Sequence, residues 1–221
     1  MPITSHVSPK RITIITGHFG SGKSEFAINF AIQKNFDTLV DLDIINPYFR
    51  SREAKPLLKQ KGIEVISSTL ENALGSDLPF IDQAAFRPFH TQEHALYDLG
   101  GDASGALLLR QFEGWIQEPV DLLLCVNVYR EETSNTLGII KMIHSIESTG
   151  GLPVTGLINN SNFLRNTTID EVLYGQQLIE EVSRQTNLPL LYTGLWDHLH
   201  GDDRIHGETI PLALFLRQAW L

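Results

Sequence analysis

The sequence predicts an α/β fold of three layers (αβα) with a mostly parallel central sheet. Two observations carry this expectation. Strand-like and helix-like runs alternate along most of the 221 residues, the order that parallel βαβ units require. One of the strand-like runs, "VDLLLCVNV" (120–128), is almost wholly apolar, as suits a strand covered on both faces. The length fits one domain over residues 1–221 with a substantial core.

The elements follow in order. "RITIIT" (11–16) is rich in β-branched residues and reads as a buried strand. A glycine-rich stretch follows. Then "SEFAINFAIQKN" sets Phe26, Ala27, Phe30 and Ala31 on one helical face. "DTLVDLDI" is the next strand, and a helix from Ser51 to Lys61 stops at Gly62. "IEVI" is a short strand. Ser67 to Glu93 is too long for an ordinary connection, so it is expected to be functional or to carry its own short helix. "HALYDLGG" is a strand with a glycine exit, leading into a helix from Ala103 to Ile116. After "VDLLLCVNV" come a helix from Glu131 to Ser148, the strand "PVTGLINN", a helix from Thr168 to Gln185 and the strand "LPLLYTGL". A last helix is expected to start near Pro211. Its polar face offers only Arg217 as a basic residue, so it should close the core and not dock on a membrane.

Composition narrows the function. The net charge is −9 without a basic cluster, so non-specific nucleic-acid binding is not expected. No apolar run reaches 18 residues, so no membrane span is expected, and the N-terminus lacks the pattern of a signal peptide. Cys125 is the single cysteine. It rules out an internal disulfide, and a cytoplasmic location follows as the expectation.

The chemistry concentrates in "IITGHFGSGKS" (14–24). Gly17, Gly22, Lys23 and Ser24 fill the pattern G-x-x-x-x-G-K-[ST]. Glycines let backbone N–H groups converge on phosphates; Lys23 adds a positive charge, and the Ser24 hydroxyl ligates Mg²⁺. Strand, glycine loop and helix come in the order this mechanism needs. The whole stretch is assigned to nucleotide binding: Gly17, His18, Phe19, Gly20, Ser21, Gly22, Lys23, Ser24 and Glu25. In an open α/β sheet, ligands lie beyond the carboxyl ends of the strands. Those ends supply Asp41 and Asp43 in "LVDLDI" and Asp98 in "ALYDLGG". Acidic strand ends beside a phosphate loop suit Mg²⁺ and an attacking water. Asp98 is the Mg²⁺-side carboxylate, and Gly101 is placed to aim its N–H at a γ-phosphate.

Together these residues resemble the MinD/ParA/nitrogenase-iron-protein group of P-loop ATPases. The likeness spans the phosphate loop, the D-x-D of Asp41 and Asp43, the D-x-x-G from Asp98 to Gly101 and a late asparagine. It implies a P-loop NTPase fold, with ATP and Mg²⁺ as ligands and a possible nucleotide-dependent homodimer. It also implies that Asp43 orients or activates the attacking water, with Lys23 as the other catalytic residue and Ser24, Asp43 and Asp98 around the metal. The segment "GLINNSN" is similar to the adenine-side segment of nitrogenase iron proteins. That places the base contact on Asn160, with Asn159 second. The Asn-Lys-x-Asp by which Ras-type GTPases read guanine is missing. Trp196 and Asp197, with Leu195, are candidates for the other side of the base. The sequence departs from the group at His18, where a signature lysine is usual. A histidine there either replaces that lysine at a dimer interface or is a spacer; unlike lysine, histidine changes charge near neutral pH.

Two further features weigh less. "DHLHGDDRIHGE" (197–208) gathers His198, His200, His206, Asp202 and Asp203, but without a fixed metal-ligand spacing. Arg50 and Arg52 are candidates to meet phosphate charge or an acidic partner. The expected function is an ATPase that acts as a switch for an unidentified protein partner. The alternative is a P-loop small-molecule kinase whose acceptor site is built from "NPYFRSRE" and Ser67–Glu93.

Overall fold

The computed structural model describes residues 8–43, 51–67, 81–101 and 103–216. Among them, eight strands form one sheet in the order β3-β2-β4-β1-β5-β6-β7-β8. Every pairing is parallel. The strands are β1 (Ile12–Thr16), β2 (Thr38–Leu42), β3 (Glu64–Ser67), β4 (Ala95–Leu99), β5 (Asp121–Val126), β6 (Gly156–Asn159), β7 (Leu190–Trp196) and β8 (Glu208–Leu212). The helices are α1 (Lys23–Gln33), α2 (Lys55–Gln60), α3 (Ala103–Phe112), α4 (Thr136–Gly150) and α5 (Ile169–Thr186).

Helices cover both faces, as alternating βα units require. On one face, Phe26, Phe30 and Ala31 of α1 and Leu58 of α2 pack against Ile15, Leu39, Leu123 and Ile158. On the other, Leu108 and Leu109 of α3, Ile139 and Ile143 of α4 and Ile179 and Val182 of α5 pack against Ile12, Ile14, Val40 and Leu124. Period-two alternation along each strand explains the division. β1 lies between β4 and β5, so its carboxyl end opens where the chain reverses its travel across the sheet. Ligand crevices form at such a point.

Several elements differ from expectation. The helix expected near Pro211 is absent from the described residues: Glu208–Leu212 is a strand beside β7. Proline lacks the N–H that a second neighbouring strand would require, so it is tolerated in an edge strand, and β8 is the edge. Arg217 lies outside the described residues. α4 starts at Thr136, five residues after the expected Glu131, because Asn135 caps it by accepting the Gly138 N–H at 3.0 Å. Residues 131–133 form a separate 3₁₀ turn. Within Ser67–Glu93, residues 68–80 lie outside the described residues. Gln83–Phe89 forms a 3₁₀ helix tied down by the Tyr97 hydroxyl, which donates to the Ala85 carbonyl at 2.8 Å. α5 begins with a reciprocal cap between Thr168 and Glu171.

Candidate nucleotide site

The site grows from three adjacent strand ends. Asp41 on β2 and Ile15 on β1 are both in register with Asp98 on β4. In-register residues of a parallel sheet share a face, so both carboxylates point to the face that α1 covers. There they meet the first turn of α1. The Lys23 ammonium donates to Asp43 and lies 3.9 Å from Asp98 Oδ1. Ser24 hydrogen-bonds Asp98. Asp41 Oδ1 accepts the Asp43 N–H at 3.1 Å and so fixes the turn that presents Asp43. Lys23, Asp41, Asp43 and Asp98 are all buried.

Burial and charge oppose each other here. Burial pushes the Lys23 pKa down, but the fields of Asp98, Asp43 and Asp41 and the Asp43 hydrogen bond outweigh it, and the net shift is upward. Lys23 is held charged. Burial also pushes the Asp98 carboxyl up to about 6, against the opposing pull of Lys23. One lysine faces three carboxylates, so the cluster has room for a further positive charge.

The loop above this cluster is shaped by close approach. Gly20 and Gly22 have φ of +78° and +82°, which side chains rarely allow. A Cβ on Gly22 would come within 2.6 Å of Asn160 Nδ2. One on Gly17 would meet the Cys125 carbonyl at 2.4 Å, and one on Gly101 would meet the Gly17 carbonyl at 2.3 Å. The loop is thus wedged between the ends of β4 and β5. Among the described residues no side chain caps α1, and first-turn N–H groups of a helix suit an anion. Ser21 spends its N–H on the His18 carbonyl at 3.0 Å. Cys125 is a core residue beneath the loop, its thiol pushed up to about 12 by burial.

A cavity of about 300 Å³ opens from the loop across β6 and β7 to β8, within the range of small-molecule sites. Gly20, Gly22, Lys23, Ser24 and Glu25 line its polar end together with Arg130, whose Nε donates to the Gly20 carbonyl at 2.8 Å. Phe26, Leu164, Trp196, Leu212 and Leu216 line its apolar end. Asn127, Asn160 and Asn162 lie between. Two buried polar atoms of this wall, Asn160 Oδ1 and Trp196 Nε1, have no hydrogen-bond partner among the described residues.

The expected base-side residues separate. Asn160 lines the cavity, and its amide also donates to the Ser21 carbonyl at 2.8 Å, so it buttresses the glycine loop. Asn159, one residue earlier, faces the opposite side. Its amide donates to the Val172 carbonyl of α5 at 3.0 Å and accepts the Ser161 N–H at 3.1 Å. Its polar atoms are used in holding α5. Trp196 is on the wall, whereas the Asp197 side chain is 86% exposed and lies beside His200. His18 turns outward: Nδ1 lies 2.9 Å from the Phe19 carbonyl and Nε2 3.4 Å from Glu132. Phe19 lines the mouth and is 64% exposed.

Arg130 and Asn127 escaped the sequence reading although they follow β5, a strand whose carboxyl end had the same claim as the others. Leu164, Leu212 and Leu216 carried no signal, since an apolar wall looks like core. Among the described residues no group of three or more His, Cys, Asp or Glu is arranged to hold a metal alone. The histidines of 197–208 are engaged separately: His198 with the Thr167 carbonyl, His200 with Asp197 and His206 with Glu180. Arg50 and the side chain of Arg52 lie outside the described residues, as do residues 46–50 and 68–80 of the expected kinase acceptor site.

No protein-family profile matches the chain, and no curated protein matches it significantly. Solved structures do share its fold. The signal recognition particle receptor FtsY from Elizabethkingia anophelis is 18% identical, with a TM-score of 0.50 over 88% of this chain and 60% of that one. The cell division protein FtsY from Thermotoga maritima is 17% identical, with a TM-score of 0.53 over 86% and 63%. FtsY from Mycoplasma mycoides is 13% identical, with a TM-score of 0.50 over 85% and 61%. This chain therefore spans about three fifths of the length of these neighbours. At such identities the likeness concerns the fold, which is that of P-loop NTPases. The neighbours named here are FtsY proteins and do not bear on the MinD/ParA group. No helix among the described residues is long and apolar enough to cross a membrane.

Proposed function

We propose that this protein is a Mg²⁺-dependent ATPase that acts as a nucleotide switch for a protein partner. The observation that carries the reading is the two-ended cavity. Its polar end holds the glycine loop and Lys23, and its apolar end holds Trp196 and the leucines. That division suits a triphosphate joined to a flat ring.

Ser24, Asp43 and Asp98 offer the hard oxygen ligands that suit Mg²⁺. When bound, it would neutralise phosphate charge. The remaining work falls to side chains. Phosphate oxygens compete with Asp43 for the Lys23 ammonium. Once Lys23 turns to phosphate, the Asp43 carboxylate is in place to orient water. Arg130, at the rim of the loop, adds positive charge where the leaving phosphate develops negative charge.

The apolar end supports adenine. The one carboxylate among the described lining residues is Glu25, and it accepts the N–H groups of Phe215 and Leu216. Guanine's N1–H and N2–H₂ would find no carboxylate there. Calorimetry should show Mg²⁺·ATP binding more tightly than Mg²⁺·GTP. Lys23→Ala should weaken ATP by about 10- to 150-fold, the loss expected for a charge-assisted contact. Asp43→Asn should stop phosphate release to water while ATP still binds. Equal ATP and GTP affinities would remove the adenine assignment. Absence of nucleotide binding would remove the site.

A further inference from the structure

Three polar residues recur every four positions along α1: Glu25, Asn29 and Gln33. Each engages the backbone of the C-terminal segment, at points two residues apart. Gln33 Nε2 donates to the Pro211 carbonyl at 2.6 Å. Asn29 uses both halves of its amide on one residue: Nδ2 donates to the Ala213 carbonyl at 2.9 Å, and Oδ1 accepts the Ala213 N–H at 2.9 Å. The Glu25 carboxylate accepts the N–H groups of Phe215 and Leu216, the latter at 3.2 Å. Four helical residues advance about 6 Å and two extended residues about 6.6 Å. The two repeats therefore keep step over the whole ladder, running in opposite directions.

The ladder ends at the cavity. Glu25 directly follows Ser24 at the phosphate end, while Leu212 and Leu216 line the apolar end. An anionic Glu25 beside a triphosphate would repel it. Two backbone N–H donors disperse that charge and turn the residue into an anchor for the segment. A single helix thus sets both the phosphate loop, at its N-terminus, and the height of the opposite wall.

We infer that residues 212–216 form the wall against which the base lies, with Leu216 as a base contact and Asn29 as the residue that positions it. This rests on the nucleotide reading above. Leu216 is half-buried, packs against the core cluster that contains Trp196 and Leu212, and lines the cavity together with them.

The test separates base from phosphate. Calorimetry would measure ATP and inorganic tripolyphosphate, each with Mg²⁺, on the full chain, on Leu216→Ser and on Asn29→Ala. The wild type should prefer ATP. The ratio of ATP to tripolyphosphate affinity should fall about tenfold in Leu216→Ser, the size expected for losing most of a leucine's buried contact. It should fall in the same direction in Asn29→Ala. Tripolyphosphate binding reports that each variant is folded. A wild-type ratio retained by Leu216→Ser overturns the inference. So does a wild type that binds both ligands equally, which leaves the phosphate site standing. A wild type that binds neither overturns the nucleotide reading and this inference with it.

Discussion

Lys23 is where the site's electrostatics are decided. It is buried among Asp41, Asp43 and Asp98, and its positive charge and the Asp98 carboxyl act on each other. Asp98 shows this most clearly, because burial holds its carboxyl near pH 6, above the 3.8 of an exposed aspartate. The folded protein therefore binds a proton there that the unfolded chain has released. The resulting stability is fully present below pH 3.8 and is lost as pH rises through about 6. Asp98→Asn removes that titration. Urea unfolding should show the wild type losing stability relative to Asp98→Asn between pH 4 and pH 7, on the order of 1–3 kcal/mol. A constant difference across that range would mean that Asp98 ionises like an exposed carboxylate.

Among elements, the β1–α1 loop is the most constrained. It is squeezed by the β4–α3 connection at Gly101 and by the end of β5 at Cys125. Gly17→Ala sets a methyl against the Cys125 carbonyl, a backbone atom with no rotamer to move aside. We expect a loss of about 1–3 kcal/mol in thermal or urea unfolding, typical of overpacking, together with weaker tripolyphosphate binding. Gly62→Ala is the control. Gly62 has a positive φ of +81°, which Gly17 lacks, but its Cβ would meet nothing within 4 Å, so the substitution should cost backbone strain alone and leave phosphate binding unchanged. Equal effects of the two on phosphate binding would show that the wedge at Gly17 is not what shapes the loop.

The whole molecule brings the loop to the surface with Phe19 64% exposed and His18 turned outward toward Glu132. A nucleotide-dependent homodimer, as the resemblance to the MinD/ParA group implies, would meet its partner there. Sedimentation with a non-hydrolysable ATP analogue should then show a dimer that is absent without nucleotide and weakened several-fold by Phe19→Ser. A monomer in every nucleotide state would leave the switch to a different protein partner.

The sequence alone determined the layered α/β architecture, the glycine loop between β1 and α1 and the acidic ends of the neighbouring strands. Those features are local: a β-branched strand, a glycine run and a helix face are written in consecutive residues. Only the tertiary structure decided which late residues reach the cavity. Asn159 and Asn160 differ by one position, but period-two alternation sends one to α5 and the other beneath the loop. Which face α1 covers is a property of the whole sheet and is not written at either asparagine. Likewise, Glu208–Leu212 reads as the approach to an apolar helix until β7 offers it a parallel partner. Propensity is a weak local term, and pairing with a formed sheet edge together with the side chains of α1 outweighs it.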